Sequence, residues 1–261
     1  MAYETLEVES GGPIARVWLN RPPQHNPLNA VVLEELISVF GEVQRHAETA
    51  VVILGGRGPS FSAGADRKDP PGRLLRSSGT SARARRYEAQ LGRRTLQAIE
   101  RTEAITIARL HGHVIGGAVL LGLACDLRVA AQSASFWIPE VDLGVPLTWG
   151  GAPRLARAVG VARAKELILL CDRFDAASAE RYQLVNRVVA DDALDTVVDD
   201  WAARLAAKPP WAVHMTKSQF RAYDRTTVLG DVTELDGDLL SAASAEDPIR
   251  FVFPHRQGTA E

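Results

Sequence analysis

The apolar positions of the chain fall into short runs that alternate between two periods. Ile14–Leu19 reads as a strand, closed by Asn20-Arg21-Pro22-Pro23. Val32, Leu36, Val39, Phe40 and Val43 recur at spacings of three and four, which predicts a helix with Asn29 as its N-cap. Ala50–Leu54 is apolar throughout, as expected of a strand buried on both faces. Further strands are predicted at Ala104–Leu110, Asp126–Ala130 and Val185–Val189, and Phe136–Glu140 reads as extended. Pro153–Val159 and Arg163–Leu170 read as short helices joined at Gly160, and Asp175 as the cap of a helix over Ala176–Tyr182. Beyond Asp191 the pattern is helical. One helix runs to about Lys208, where Pro209-Pro210 stops it. Others cover about Trp211–Ala222 and Thr227–Ala243, and Pro248 opens a last short one. The pattern divides the chain into a β/α-rich core over residues 1–190 and a helical region over 191–261.

Glycines interrupt this pattern at two places. Phe61-Ser62-Ala63-Gly64-Ala65-Asp66 follows the all-apolar strand. His111-Gly112-His113-Val114-Ile115-Gly116-Gly117 follows the next one and leads into an apolar run that ends at Cys125-Asp126. A strand, a glycine bend and a helix start leave backbone N–H groups without partners, so such a bend can hold developing negative charge. Taken alone, a glycine turn between two core elements explains either bend equally well.

Composition narrows the possibilities. A chain of 261 residues that is 46% hydrophobic and 24% charged supports a large core. The net charge of −2 gives no general pull toward nucleic acid or membrane. The two cysteines, Cys125 and Cys171, lie in apolar runs and suit buried free thiols better than a disulfide framework. Met1-Ala2-Tyr3-Glu4 lacks the features of a signal peptide, and Val114–Cys125 is too short to span a bilayer. A soluble, cytoplasmic protein is expected. The segment Arg67–Arg94 departs from the overall balance, with nine Lys/Arg against two acidic residues. It reads as a loop followed by a helix from about Ser81 to Glu100. A solvated helix face accounts for most of its charge, and attraction of a phosphate-bearing substrate is the functional alternative.

Two N–H donors converging on one oxygen make an oxyanion hole, and loss of one such donor costs roughly 3–4 kcal/mol of transition-state stabilisation. The two bends, followed by Cys-Asp-Leu-Arg-Val-Ala and Pro-Glu-Val-Asp-Leu-Gly-Val-Pro, keep an order and approximate spacing that resembles the enoyl-CoA hydratase/isomerase (crotonase) superfamily. The resemblance extends over nearly the whole chain, including Arg163-Ala-Lys-Glu-Leu. It implies an α+β fold, the crotonase (ClpP-like) ββα spiral with a helical C-terminal region, and a coenzyme A thioester as substrate. It implies no metal, nicotinamide or flavin cofactor, no nucleic-acid or membrane partner, and a homotrimer or dimer of trimers with the helical region in the interface.

The resemblance assigns Ala65 and Gly117 as the thioester-oxygen donors and Glu140 as the acid/base. Hydratases of the superfamily use two glutamates around a water; the position of the first, three residues after the Gly-Gly pair, is Leu120 here. A single carboxylate still suffices to carry a proton from C2 to C4 of an enolate, as in the superfamily's enoyl-CoA isomerases. The expectation is therefore an isomerase-like proton-transfer enzyme. A hydratase working with Glu140 alone is the runner-up, and an acyl-CoA-binding protein with little activity the alternative from another class. Ile138, Val141, Leu120 and Trp149 are the expected apolar walls around Glu140. In related proteins backbone groups around the Ala63–Asp66 segment hold the adenine, so the resemblance implies Ala63 and Asp66 there, with Asp66 near the adenine or capping the bend, and Gly116 as a further substrate-binding residue. Arg67 and Lys68 are the candidates for the coenzyme A phosphates. The dehalogenase branch places an aspartate nucleophile close to Thr148, which cannot replace it. His111-x-His113 has no further metal-ligand spacing around it, and Lys217 reads as structural.

Overall fold

A computed structural model of the chain describes residues 3–46, 48–72, 79 and 81–227. The predicted helices over 227–243 and from 248 lie outside the described residues, apart from Thr227.

A six-stranded sheet carries the fold. Its strands are β1 (Leu6–Glu9), β2 (Ile14–Leu19), β3 (Val51–Gly56), β4 (Ile105–Leu110), β6 (Leu127–Ala131) and β9 (Arg187–Val189), side by side in that order. Only β1 runs antiparallel to its neighbour. A three-stranded sheet joins β5 (His113–Ile115), β7 (Ser135–Trp137) and β8 (Phe174–Asp175).

Every residue of β3 is buried, because both faces of the sheet are covered. Val52 and Leu54 point to the main core, which holds Val32, Leu36, Val39 and Phe40 of α1 (Ala30–Val43). The alternate positions, Val51 and Ile53, join Ile107 and Val129 beneath Leu194, Val198 and Ala202 of α8 (Leu194–Ala206). Burying a side chain of this size contributes about 1.5–3 kcal/mol. The helical region thus begins by closing the second face of the sheet. Lys217, on α9 (Pro210–Thr227), is buried; its Nζ donates to Ala104 O at 2.8 Å and to Asp126 Oδ2 at 2.7 Å. It is the structural residue expected. Asn29 caps α1, accepting from Val32 N at 3.1 Å, and Asp175 caps α7 (Ala176–Arg181). Both cysteines are buried and free.

Three elements differ from the sequence reading. The helix expected over 81–100 is two, α2 (Ala82–Ala89) and α3 (Leu91–Arg101), which meet at Gln90. The break falls where the environment changes: α2 is largely exposed, whereas Leu91, Leu96 and Ile99 of α3 are buried. Strand β1 is an edge strand whose Leu-Glu-Val-Glu alternation is too brief to stand out. Strand β5 occupies the middle of what reads as one glycine bend, held there by parallel pairing with β7.

Candidate active site

The two glycine bends lie side by side. Ser62 and Val114 form a parallel bridge, with Ser62 N donating to His113 O at 2.9 Å and Ile115 N to Ser62 O at 3.2 Å. Three residues beyond this bridge, one strand reaches Ala65 and the other reaches Gly117, the first residue of α4 (Gly117–Ala124). On the far side of the first bend, Leu28 N donates to Gly64 O and Asp66 N to Leu28 O, both at 2.8 Å. That ladder uses alternate groups and leaves the Ala65 N–H turned away from Leu28. The Gly117 N–H is the orphan donor of a helix start. Neither N–H has an acceptor among the described residues. Gly64 has φ +83°, and a Cβ there would stand 2.6 Å from Ile115 O, so the close approach of the two bends needs glycine.

Glu140 reaches the same place from the turn after β7. Gly116 N donates to Trp137 O at 2.8 Å, and the Glu140 carbonyl accepts from Leu143 N at 3.1 Å and Val145 N at 3.0 Å. This anchoring sets the Glu140 carboxyl against Gly116. Glu140 as a whole residue is half-buried, but its Oε2 is sealed from solvent and has no hydrogen-bond partner. Burial pushes this carboxyl up to about 7, against the smaller lowering effect of a bond from its own N–H.

Leu120 is buried, with its methyl groups against Gly151, which Leu147 also approaches. Trp149 adopts a left-handed backbone, φ +60°, and its indole packs between Gly92 of α3 and Gly117. Arg154, on α5 (Gly151–Val159), donates to the carbonyls of Trp149 at 3.1 Å and Gly150 at 3.0 Å. The same guanidinium grips both oxygens of Glu100 at 2.6 and 2.7 Å.

Asp66 caps the first bend. It is buried, accepts from Lys68 N at 2.9 Å and Asp69 N at 3.2 Å, and pairs with Arg21 at 2.8 Å. Burial pushes its carboxyl upward, but Arg21 and the two N–H groups outweigh it and hold the group below the usual range. Arg67 and Lys68 are exposed beside it, and Ala63 N is committed to His25 O at 2.8 Å. His111 and His113 have separate surroundings. His111 accepts from Arg109 at Nδ1 and donates from Nε2 to Gly58 O, each at 2.9 Å, whereas His113 packs on the His25 ring.

Sequence reasoning missed Arg21, which read only as part of a strand ending, and the Arg154–Glu100 pair. Neither lies in a motif, and each meets its partner from a distant part of the chain. Gly92 was also missed, because a glycine inside a helical pattern gives no sign of the ring that packs on it.

A ββα-rich core with two adjoining glycine bends and a buried carboxyl defines a protein of the crotonase fold. The chain belongs to the enoyl-CoA hydratase/isomerase family, whose profile matches residues 9–256. It is 33% identical to the short-chain-enoyl-CoA hydratase of Clostridium acetobutylicum, over 98% of this chain and 97% of that one. It is 35% identical to the human mitochondrial Delta(3,5)-Delta(2,4)-dienoyl-CoA isomerase, over 83% of this chain and 68% of that one. Among solved structures, an enoyl-CoA hydratase of Mycobacterium avium subsp. paratuberculosis superposes with a TM-score of 0.83 at 28% identity, covering 95% of this chain and 96% of that one. The family is one of enzymes, lyases and isomerases. No helix among the described residues is long and apolar enough to cross a membrane.

Proposed function

We propose that the protein is an acyl-CoA enzyme that forms a thioester enolate and moves a proton with a single carboxylate. The thioester oxygen accepts hydrogen bonds from the Ala65 and Gly117 N–H groups. Glu140 takes a proton from C2 of a 3-enoyl thioester, the electron pair delocalises into the dienolate, and the same proton returns at C4 to give the 2-enoyl product. Negative charge grows on the thioester oxygen as the C2–H bond breaks, so donors fixed there act on the transition state more than on the substrate.

The observation that carries this reading is Glu140: a sealed carboxyl oxygen without a partner, on a group whose proton affinity lies near neutrality. A base poised there both removes and returns a proton efficiently. Leu120 supplies no second acid to hold a water, which favours proton transfer over hydration. The names of several relatives favour hydration, which here would have to proceed with Glu140 alone and is the runner-up. A protein that binds acyl-CoA without turning it over is the third reading. Exposed coenzyme A contacts at Arg67 and Lys68, and an assembly into trimers, belong to the same proposal. Exposed apolar side chains such as Leu169, Leu170 and Trp211 support assembly.

A panel of 2-enoyl and 3-enoyl thioesters, followed for both hydration and double-bond migration, tests the reading. Migration from 3-enoyl to 2-enoyl is the expected dominant reaction. Dominant hydration of the 2-enoyl series would move the assignment to the hydratase.

A further inference from the structure

Trp149 fills the slot between α3 and α4 directly beside Gly117. A Cβ at Gly92 would overlap the indole, and a Cβ at Gly117 would stand 2.6 Å from its Cζ3 and 2.9 Å from its Cη2. A glycine on each helix is what admits a two-ring side chain here. The indole is also not simply dropped into the core. A bulky residue at φ +60° is strained, at a cost of about 1–3 kcal/mol, and such strain persists only where the surroundings impose it. Arg154 imposes it, holding the Trp149 and Gly150 carbonyls while clamped to Glu100 at the end of α3. Arg154 is itself buried, so its end of the clamp is shielded from water. Whereas Leu120 and Leu147 nearby are buried, Trp149 as a whole residue is only half-buried.

We propose that Trp149 is a specificity-determining residue that limits the substrate to short acyl chains. The inference rests on the enolate reading, which puts the thioester carbonyl on Gly117 N–H. The chain of a four-carbon thioester ends two bonds past C2. Each further methylene needs open space near Gly117, and the indole stands in the α3–α4 slot that would supply it. Interiors this closely packed do not yield to extra methylenes without displacing something. With the ring clamped through its own backbone, displacement is resisted.

The test is the ratio of kcat/KM for four-carbon over ten-carbon thioesters, measured in both the 2-enoyl and 3-enoyl series. Wild type is expected to favour the four-carbon members by about 100-fold or more. Trp149→Ala is expected to lower that ratio by about 10-fold or more, and Trp149→Phe to lower it by less. Trp149→Phe keeps the test open if the alanine variant does not fold, which a thermal melt reports. A wild type that uses ten-carbon thioesters as well as four-carbon ones overturns the inference, as does an unchanged ratio in the folded variants. If no thioester is turned over, the enolate reading fails separately. The ratio of calorimetric Kd values for butanoyl-CoA and decanoyl-CoA then decides, equal affinities overturning the role given to Trp149.

Discussion

The Glu140 carboxyl rests on the bare Cα of Gly116: a Cβ at that position would stand 2.7 Å from Glu140 Oε1. Gly116 also has φ +54° and ψ −118°, a conformation that side-chain-bearing residues rarely adopt. The residue before the helix is therefore glycine for two independent reasons, backbone conformation and room for the base. Gly116→Ala is expected to cost about 1–3 kcal/mol of stability from strain. It should also lower kcat/KM further than that loss explains, because it displaces Glu140. Denaturation and kinetics on the same preparation check this. A variant with wild-type kcat/KM would show that the contact does not position the base.

The proton affinity of Glu140 sets a pH dependence. The carboxyl is pushed up to about 7 by burial, so the ionised, base-competent form is lost as pH falls through that value. In free enzyme, kcat/KM should drop about tenfold per pH unit below it. A pH profile flat down to the ordinary carboxylate range would mean that Glu140 is not the base.

The same shift predicts a stability effect with a definite sign. The folded state holds the Glu140 proton more tightly than the unfolded chain, whose value is near 4.5. The advantage is complete below about 4.5 and is lost as pH rises to about 7, since a buried carboxylate with one oxygen lacking a partner must then carry the charge. Glu140→Gln removes this loss. Its stability relative to wild type should therefore rise between pH 4 and pH 8, by up to about 3 kcal/mol. Urea denaturation at the two pH values measures it; a constant difference would contradict the assigned environment.

Much of the fold was legible because periodicity reports burial. Ala50–Leu54, apolar at every position, is a strand covered on both faces, and the spacing from Val32 to Val43 is a helix against the core. The short elements escaped. Strand β5 has three residues between glycines and exists through pairing with β7, a partner that no local pattern names. At the site, the residue types could be read from the motifs, but their meeting could not. The two glycine bends become neighbours through the Ser62–Val114 bridge, a pairing across about fifty residues of chain. The burial of Glu140, the left-handed backbone of Trp149 and the Arg21–Asp66 pair are likewise products of tertiary packing.

In the proposed reaction Glu140 carries a proton to and from C2 of an acyl thioester held by Ala65 and Gly117. Incorporation of deuterium from D2O at C2 of a bound acyl-CoA, followed by mass spectrometry or NMR, tests it most directly. Wild type is expected to exchange the C2 hydrogen, and Glu140→Gln to lose that exchange by about 10²–10⁴-fold while still binding the thioester. Exchange that persists in Glu140→Gln, or its absence from a wild type that binds acyl-CoA, would contradict the account.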